Sequence, residues 1–256
     1  MNWVDAVILG VVEGLTEFLP VSSTGHLILT AHFLGLPQSE FMKTFEISIQ
    51  VGAILAVLWV YWRSFLTDVE TLKRVLIAFL PTAIIGVLLY RTIKQFLFAG
   101  QTTVLVSLAL GGVVLILFDR LYRVRENVGD AIRKMPLKNA AAIGVIQTLA
   151  VIPGVSRAGA TILGGLCLGL DRRAAVQFSF LLAVPTLVAA TALDILKTSP
   201  VINAGQWRLL FLGGAVSFVV ALVSIRFFLS FIQKRGFTFF GIYRLLLAVF
   251  YGWLVL

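Results

Sequence analysis

Six apolar runs, beginning near residues 42, 75, 103, 174, 208 and 237, dominate this chain and leave it few ways to fold. Each is long enough to cross a hydrocarbon core of about 30 Å. Inside lipid no water satisfies the backbone amides, so a spanning segment must be a helix or a strand of a closed barrel. These runs are continuous, without the alternation of barrel strands, and read as helices. The whole sequence is 59% hydrophobic and 13% charged, against about a quarter charged in soluble domains. The expected fold class is all-α: a single polytopic membrane domain over residues 1–256.

The net charge of +9 comes from Lys and Arg that lie between the apolar runs rather than on one solvated face. That pattern marks topology and argues against a nucleic-acid partner; membrane lipids are the expected surroundings. Asp5, Glu13 and Glu17 fall in the first apolar segment, which lacks a basic leader and a small-residue cleavage site and is not expected to be a signal peptide. Cys167 is the single cysteine, so no intramolecular disulfide can form.

Four shorter apolar pieces come as two pairs, residues 4–19 with 24–36 and 138–152 with 159–170. Pro20 to Gly25 interrupts the first pair and Pro153 to Gly159 the second, which makes each pair a re-entrant helical hairpin in expectation. A shift of 134 residues places Gly10 on Gly144, Leu15 on Leu149, Ser22 on Ser156, Gly25 on Gly159 and Leu34-Gly35-Leu36 on Leu168-Gly169-Leu170. The chain therefore reads as two repeats, about 1–133 and 134–256, each a re-entrant pair followed by three of the six transmembrane helices. A re-entrant pair returns to its own side and three crossings do not, so the topology is an inverted repeat whose two broken tips meet near the bilayer midplane.

Sidedness follows from the basic residues. One side collects Arg63, Lys73, Arg74, Arg120, Arg123, Arg125, Arg133, Lys134, Lys138, Arg172, Arg173, Lys234 and Arg235; the other has Lys43, Arg91, Lys94, Lys197 and Arg208. The richer side is assigned to the cytoplasm, which puts both termini and the opening of the Glu13–His26 stretch outside the cytoplasmic (inner) membrane. Trp59, Tyr61 and Trp62 at one end and Trp207, Tyr251 and Trp253 at the other suit interfacial belts. Arg226 and Arg244 lie about two turns from the cytoplasmic helix ends, within snorkelling reach.

The chemistry concentrates in Glu13-Gly-Leu-Thr-Glu17-Phe-Leu-Pro20-Val-Ser22-Ser23-Thr24-Gly-His26. Beyond Pro20, Ser22, Ser23 and Thr24 occupy the cap and first turn of a new half-helix, where free N–H groups and the dipole attract an anion. Pro153 to Thr161 builds a second such tip with Ser156, Arg157 and Thr161. Hydroxyls, a guanidinium and two half-helix N-termini suit a phosphate or diphosphate, with Ser22, Thr24, Ser156 and Thr161 as binding residues. Glu13 and Glu17 share a helix face at i,i+4 and repel unless a divalent metal or a proton intervenes. Ser23 is the chosen nucleophile, with Glu17 or His26 as its base and Arg157 stabilising the transferring phosphoryl group. Spacing alone does not force Ser23 over Ser22 or Thr24.

These two motifs, with Lys43-Thr44-Phe45-Glu46, resemble the signatures of the bacterial undecaprenyl-diphosphate phosphatases, the bacitracin-resistance proteins, over nearly the whole chain. The resemblance implies hydrolysis of a polyprenyl diphosphate, undecaprenyl diphosphate, to the monophosphate at the outer membrane face, recycling the carrier of cell-wall synthesis. It also implies a divalent cation, Mg2+ or Ca2+, held at Glu13 and Glu17. It places function on Glu13, Glu17, Ser23, His26 and Arg157. Ala158 stands where that family commonly has serine, which weakens an essential role for a hydroxyl there.

The competing reading is a transporter or flippase of polyprenyl phosphate lipids, since inverted repeats with broken helices also build carriers. Two carboxylates beside a serine run favour the enzyme, because a carrier of anions gains little from nearby negative charge. The bland alternatives are local capping for the first motif, and an interfacial or packed position for His32. Glu46 and Gln50 share one face of the third segment and either line the pocket or end a solvated helix. The oligomeric state stays open, a homodimer included.

Overall fold

A computed structural model of the chain describes residues 1–37, 39–89, 101–122, 131–198 and 202–255. Arg91, Lys94, Arg123 and Arg125 of the topology argument lie outside these residues, as do the side chains of Lys197, Lys234 and Arg235. Every described element is helical: α1 Trp3–Thr16, α2 Ser23–Phe33, α3 Glu40–Thr67, α4 Val69–Leu88, α5 Gln101–Leu121, α6 Ala131–Lys134, α7 Leu137–Gln147, α8 Arg157–Cys167, α9 Arg172–Thr198, α10 Ala204–Arg235 and α11 Thr238–Val255, with a 3-10 turn at Thr148–Val151.

Side-chain caps start these helices where orphan N–H groups need acceptors. Asn2 and Asp5 form a reciprocal capping box on α1, Asn203 and Gln206 another on α10, and Ser39 and Asp68 cap α3 and α4. Five of the helices, α3, α4, α5, α9 and α10, are long and apolar enough to cross a membrane; α11 is apolar and shorter, at 18 residues. The protein is thus an all-α, multi-pass membrane protein.

Contacts between helix ends order the bundle. At one end Asp68, in the α3–α4 turn, accepts from Arg133 Nε at 3.0 Å, Arg74 Nε donates to Met135 O at 2.7 Å, and Asn139 reaches the end of α8 at Leu168 O. There too Asp119, closing α5, accepts from Arg172 at the start of α9 and from Thr238 at the start of α11. At the other end Gln101 bonds His32, Thr44 donates to Asp194 at 3.2 Å, and Ala6 and Leu9 of α1 pack with Met42 and Leu210. The α1–α2 hairpin therefore opens at one end of the bundle and α7–α8 at the opposite end.

The two hairpins share backbone detail at positions 134 apart. Ser22 has φ 71° and Ser156 φ 76°; Gly35 has φ 67° and Gly169 φ 97°. Gly35 and Gly169 each follow their half-helix in the left-handed conformation that glycine adopts freely, with Leu36 N–H donating to Ala31 O and Leu170 N–H to Gly165 O.

Long helix pairs pack through glycine. A Cβ at Gly52 would collide with Gly214 O, and one at Gly10 would lie 2.6 Å from Gly213 O, so α1 and α3 both press their backbones onto α10. Trp59, Trp62, Trp207 and Trp253 are exposed as belt residues should be. Tyr251 is not: it is buried with its ring edge-on to His32, and Tyr61 packs on Phe180. Arg226 is exposed, but Arg244 does not snorkel; it is completely buried. Snorkelling was the expectation from depth along the helix, and the face that α11 turns toward α5 overrides it.

Candidate functional site

The first tip forms because α1 cannot continue past Pro20, whose ring clashes with the preceding turn. Ser22 then caps α2, its Oγ accepting from Gly25 N–H at 3.3 Å. The second tip repeats the device: Ser156 Oγ accepts from Gly159 N–H at 3.1 Å and starts α8. Both serines hold a positive φ that L-residues rarely adopt, a cost of about 1–3 kcal/mol each that surrounding contacts must offset.

The caps place Ser23 and Arg157 as the first residues of α2 and α8, and both reach the same carboxylate. Ser23 Oγ donates to Glu17 Oε2, and Arg157 Nη2 donates to Glu17 Oε1 at 3.1 Å. Arg157 Nη1 is anchored on Ser179 O at 3.0 Å, while its Nε is buried without an acceptor. Ser179 Oγ lies 2.6 Å from Thr161 Oγ1, whose hydroxyl also bonds the carbonyls of Arg157 and Ala158. Thr161 therefore braces the turn that carries the guanidinium.

A cavity of about 520 Å³ joins the tips, lined by Glu17, Ser22, Ser23 and Thr24 from one and by Ser156 and Arg157 from the other. Glu46 and Gln50 line it as well, and so does Lys43. Most of its remaining wall is apolar, from Phe79 and Val87 of α4 to Leu187 and Leu193 of α9. Gln147, the repeat counterpart of Glu13, also borders it and donates to Thr82 and Thr186.

Three sequence-named residues stand apart from the cavity: Thr161, which braces the second tip instead of lining it, Glu13 and His26. Glu13 is fully buried against the Glu17 carboxyl, no N–H or hydroxyl donor reaches either of its oxygens, and Arg157 and Glu46 lie within electrostatic range. His26 faces away: its Nδ1 lies 2.8 Å from Ser22 O and its Nε2 2.7 Å from Tyr243 Oη. Among the described residues no three His, Cys, Asp or Glu side chains converge as a metal cluster. Glu13 and Glu17 nonetheless offer the hard oxygen donors that Mg2+ or Ca2+ takes, and a buried carboxyl that no donor reaches fits a cation held beside it.

Sequence reasoning missed Tyr243 and Ser179, and it gave Lys43 no role in the site. Tyr243 and Ser179 act through partners far along the chain, and no local pattern sets them apart from packing residues. Lys43 carried a signal, since a cation four residues into an apolar helix is costly unless used.

A family model described as bacitracin resistance protein BacA matches residues 6–250. The chain is 50% identical over 248 residues to an undecaprenyl-diphosphatase of Aquifex aeolicus, covering 97% of this chain and 96% of that protein. It is 49% identical over 255 residues to one of Thermus thermophilus, covering 98% and 97%.

Proposed function

The chain belongs to the bacitracin resistance protein BacA family, and on that premise we propose that it hydrolyses undecaprenyl diphosphate to undecaprenyl phosphate and inorganic phosphate. The observation that carries the mechanism is Glu17, one carboxylate accepting both the Ser23 hydroxyl and the Arg157 guanidinium in the wall of the shared cavity.

In this reading the diphosphate lies between the two half-helix N-termini, whose free N–H groups and dipoles favour its charge. Ser22, Thr24 and Ser156 shape that cradle, and Thr161, outside the cavity lining, braces the turn that carries Arg157. Ser23 Oγ attacks the distal phosphorus as Glu17 takes its proton. The new O–P bond forms as the bridging P–O bond breaks, and undecaprenyl phosphate departs with the bridging oxygen. A phosphate monoester, with a second pKa of about 6, leaves without needing a proton. Water then attacks the phosphoserine, releasing inorganic phosphate and restoring the hydroxyl. Arg157 offsets the charge that builds on the phosphoryl oxygens, for which its rigid fork of donors is suited.

A divalent cation, Mg2+ or Ca2+, would be held by Glu13 and Glu17 and would supply charge neutralisation. His26 acts indirectly, holding Ser22 O and hence the turn before Ser23. The apolar wall of α4 and α9 suits the first isoprene units. The excess of basic residues on the end bearing Arg74, Arg133 and Arg172 supports a cytoplasmic assignment for that end. The α1–α2 opening and both termini then face outward, and the two hairpins are re-entrant from opposite membrane faces. Hairpins opening at opposite ends, and paired left-handed residues at Ser22 and Ser156, support the inverted repeat.

Phosphate release by purified protein in detergent tests the reading. Ser23→Ala and Arg157→Ala are each expected to lower kcat by about a hundredfold or more. Full activity in both would end the mechanism; no release by the intact protein would favour a carrier.

A further inference from the structure

Arg244, on α11, spends all five of its N–H donors on main-chain carbonyls. Nε donates to Leu108 O at 3.1 Å; Nη1 to Pro20 O and Val155 O, both at 3.2 Å; Nη2 to Ser107 O at 2.9 Å and Gly154 O at 2.7 Å. None of these partners is a carboxylate, and among the described residues Arg244 has no ion pair. Burying an unpaired charge is costly, and an apolar side chain would join α5 to α11 without that cost.

The identity of the carbonyls explains the arrangement. Pro20 belongs to the first tip, three residues before Ser23. Gly154 and Val155 belong to the second, just before Ser156 and Arg157. Helix breaks leave such carbonyls without intrahelical partners, and a planar fork can hold several at once. Ser107 and Leu108, on the continuous helix α5, anchor the same guanidinium. Space for it exists because α5 has glycine at 111, where any Cβ would collide with Nη2. The neighbouring Tyr243 reinforces the pattern by bonding His26 of the first tip.

We propose that Arg244 is a positioning residue that ties both tips to the α5–α11 pair and thereby holds Ser23 and Arg157 in register on Glu17. The proposal rests on the phosphatase reading of that cluster. It makes α11, which contributes nothing to the cavity lining, a determinant of the reaction rate.

Two variants test it independently. Arg244→Lys keeps the charge but cannot span three segments. Gly111→Ala keeps Arg244 and every tip residue but displaces the guanidinium. Both are measured for kcat and KM per folded molecule and for amide hydrogen exchange of residues 18–25 and 152–160. A misplacement near 1 Å costs about a hundredfold in rate, so kcat should fall ten- to hundredfold while KM changes less. Exchange at both tips should quicken, with α3 and α10 unaltered. Wild-type kcat per folded molecule, or faster exchange spread evenly over the bundle, would reduce Arg244 to a packing residue and overturn the proposal. If Arg244→Lys does not fold, Gly111→Ala decides the question. If the intact protein released no phosphate, the phosphatase reading would fail, while tip exchange in the two variants would still accept or reject the clamp.

Discussion

Glu17→Gln isolates charge from shape at the centre of the site. The carboxamide matches the carboxylate in size, yet it has one acceptor oxygen where two are used. Arg157 can only donate and must keep the amide oxygen, so the Ser23 hydroxyl has to reverse and accept from the amide N–H, losing its charge-assisted bond and the acceptor for its proton. A hydrogen bond to a charged group is worth about 1.5–3 kcal/mol, which sets the stability cost near 2 kcal/mol. At about 2–4 °C per kcal/mol for a chain of this size, the melting temperature should fall by only several degrees. The rate responds more strongly. A positioned base contributes about 10²–10⁴, equivalent to about 3–5 kcal/mol of barrier. Phosphate release from undecaprenyl diphosphate, normalised to folded protein by a thermal melt in the same detergent, separates the two effects. If Glu17→Gln kept kcat within about threefold of wild type, proton transfer from Ser23 to Glu17 could not be the reaction's route.

Glu13→Gln should leave the melting temperature unchanged or raise it, because it removes a buried carboxyl that no donor reaches beside Glu17. The cation concentration for half-maximal activity should rise about tenfold or more; an unaltered cation titration would remove Glu13 from the cation-holding set. His26→Ala and Tyr243→Phe break one hydrogen bond from its two ends. Their effects on kcat should be non-additive, with a coupling of about 0.5–3 kcal/mol, and strict additivity would show that His26 acts elsewhere. Gly52→Ala forces α3 off α10 at the Gly214 carbonyl and should cost about 1–3 kcal/mol in stability. A wild-type melt for that variant would contradict the close backbone contact.

Several features were legible without coordinates because their causes are local. An apolar run in lipid has to be helical, a proline has to interrupt a helix, and hydroxyls after the interruption have to cap the next one. Glu17, Ser22, Ser23 and Thr24 lie within eight residues of chain, so the first half of the site could be read directly. Arg157 was legible for a different reason: it lies 134 positions after Ser23, at the matching break of the second pair of short helices.

Other features depend on which faces meet. Arg226 and Arg244 look alike in sequence, each a lone cation in an apolar span. One is exposed on α10, and the other is buried because α11 turns that face toward Gly111 and two helix breaks. His26 reads as a base beside the serines, yet helix rotation gives it Tyr243, 217 positions away, instead of the cavity. Periodicity and residue type determined which segments are helices, where they break and which groups carry the chemistry. Only the tertiary structure decided how those groups are held, because the acceptors that stabilise a buried cation here are main-chain carbonyls. Every residue carries one, and only the fold selects those left free and within reach.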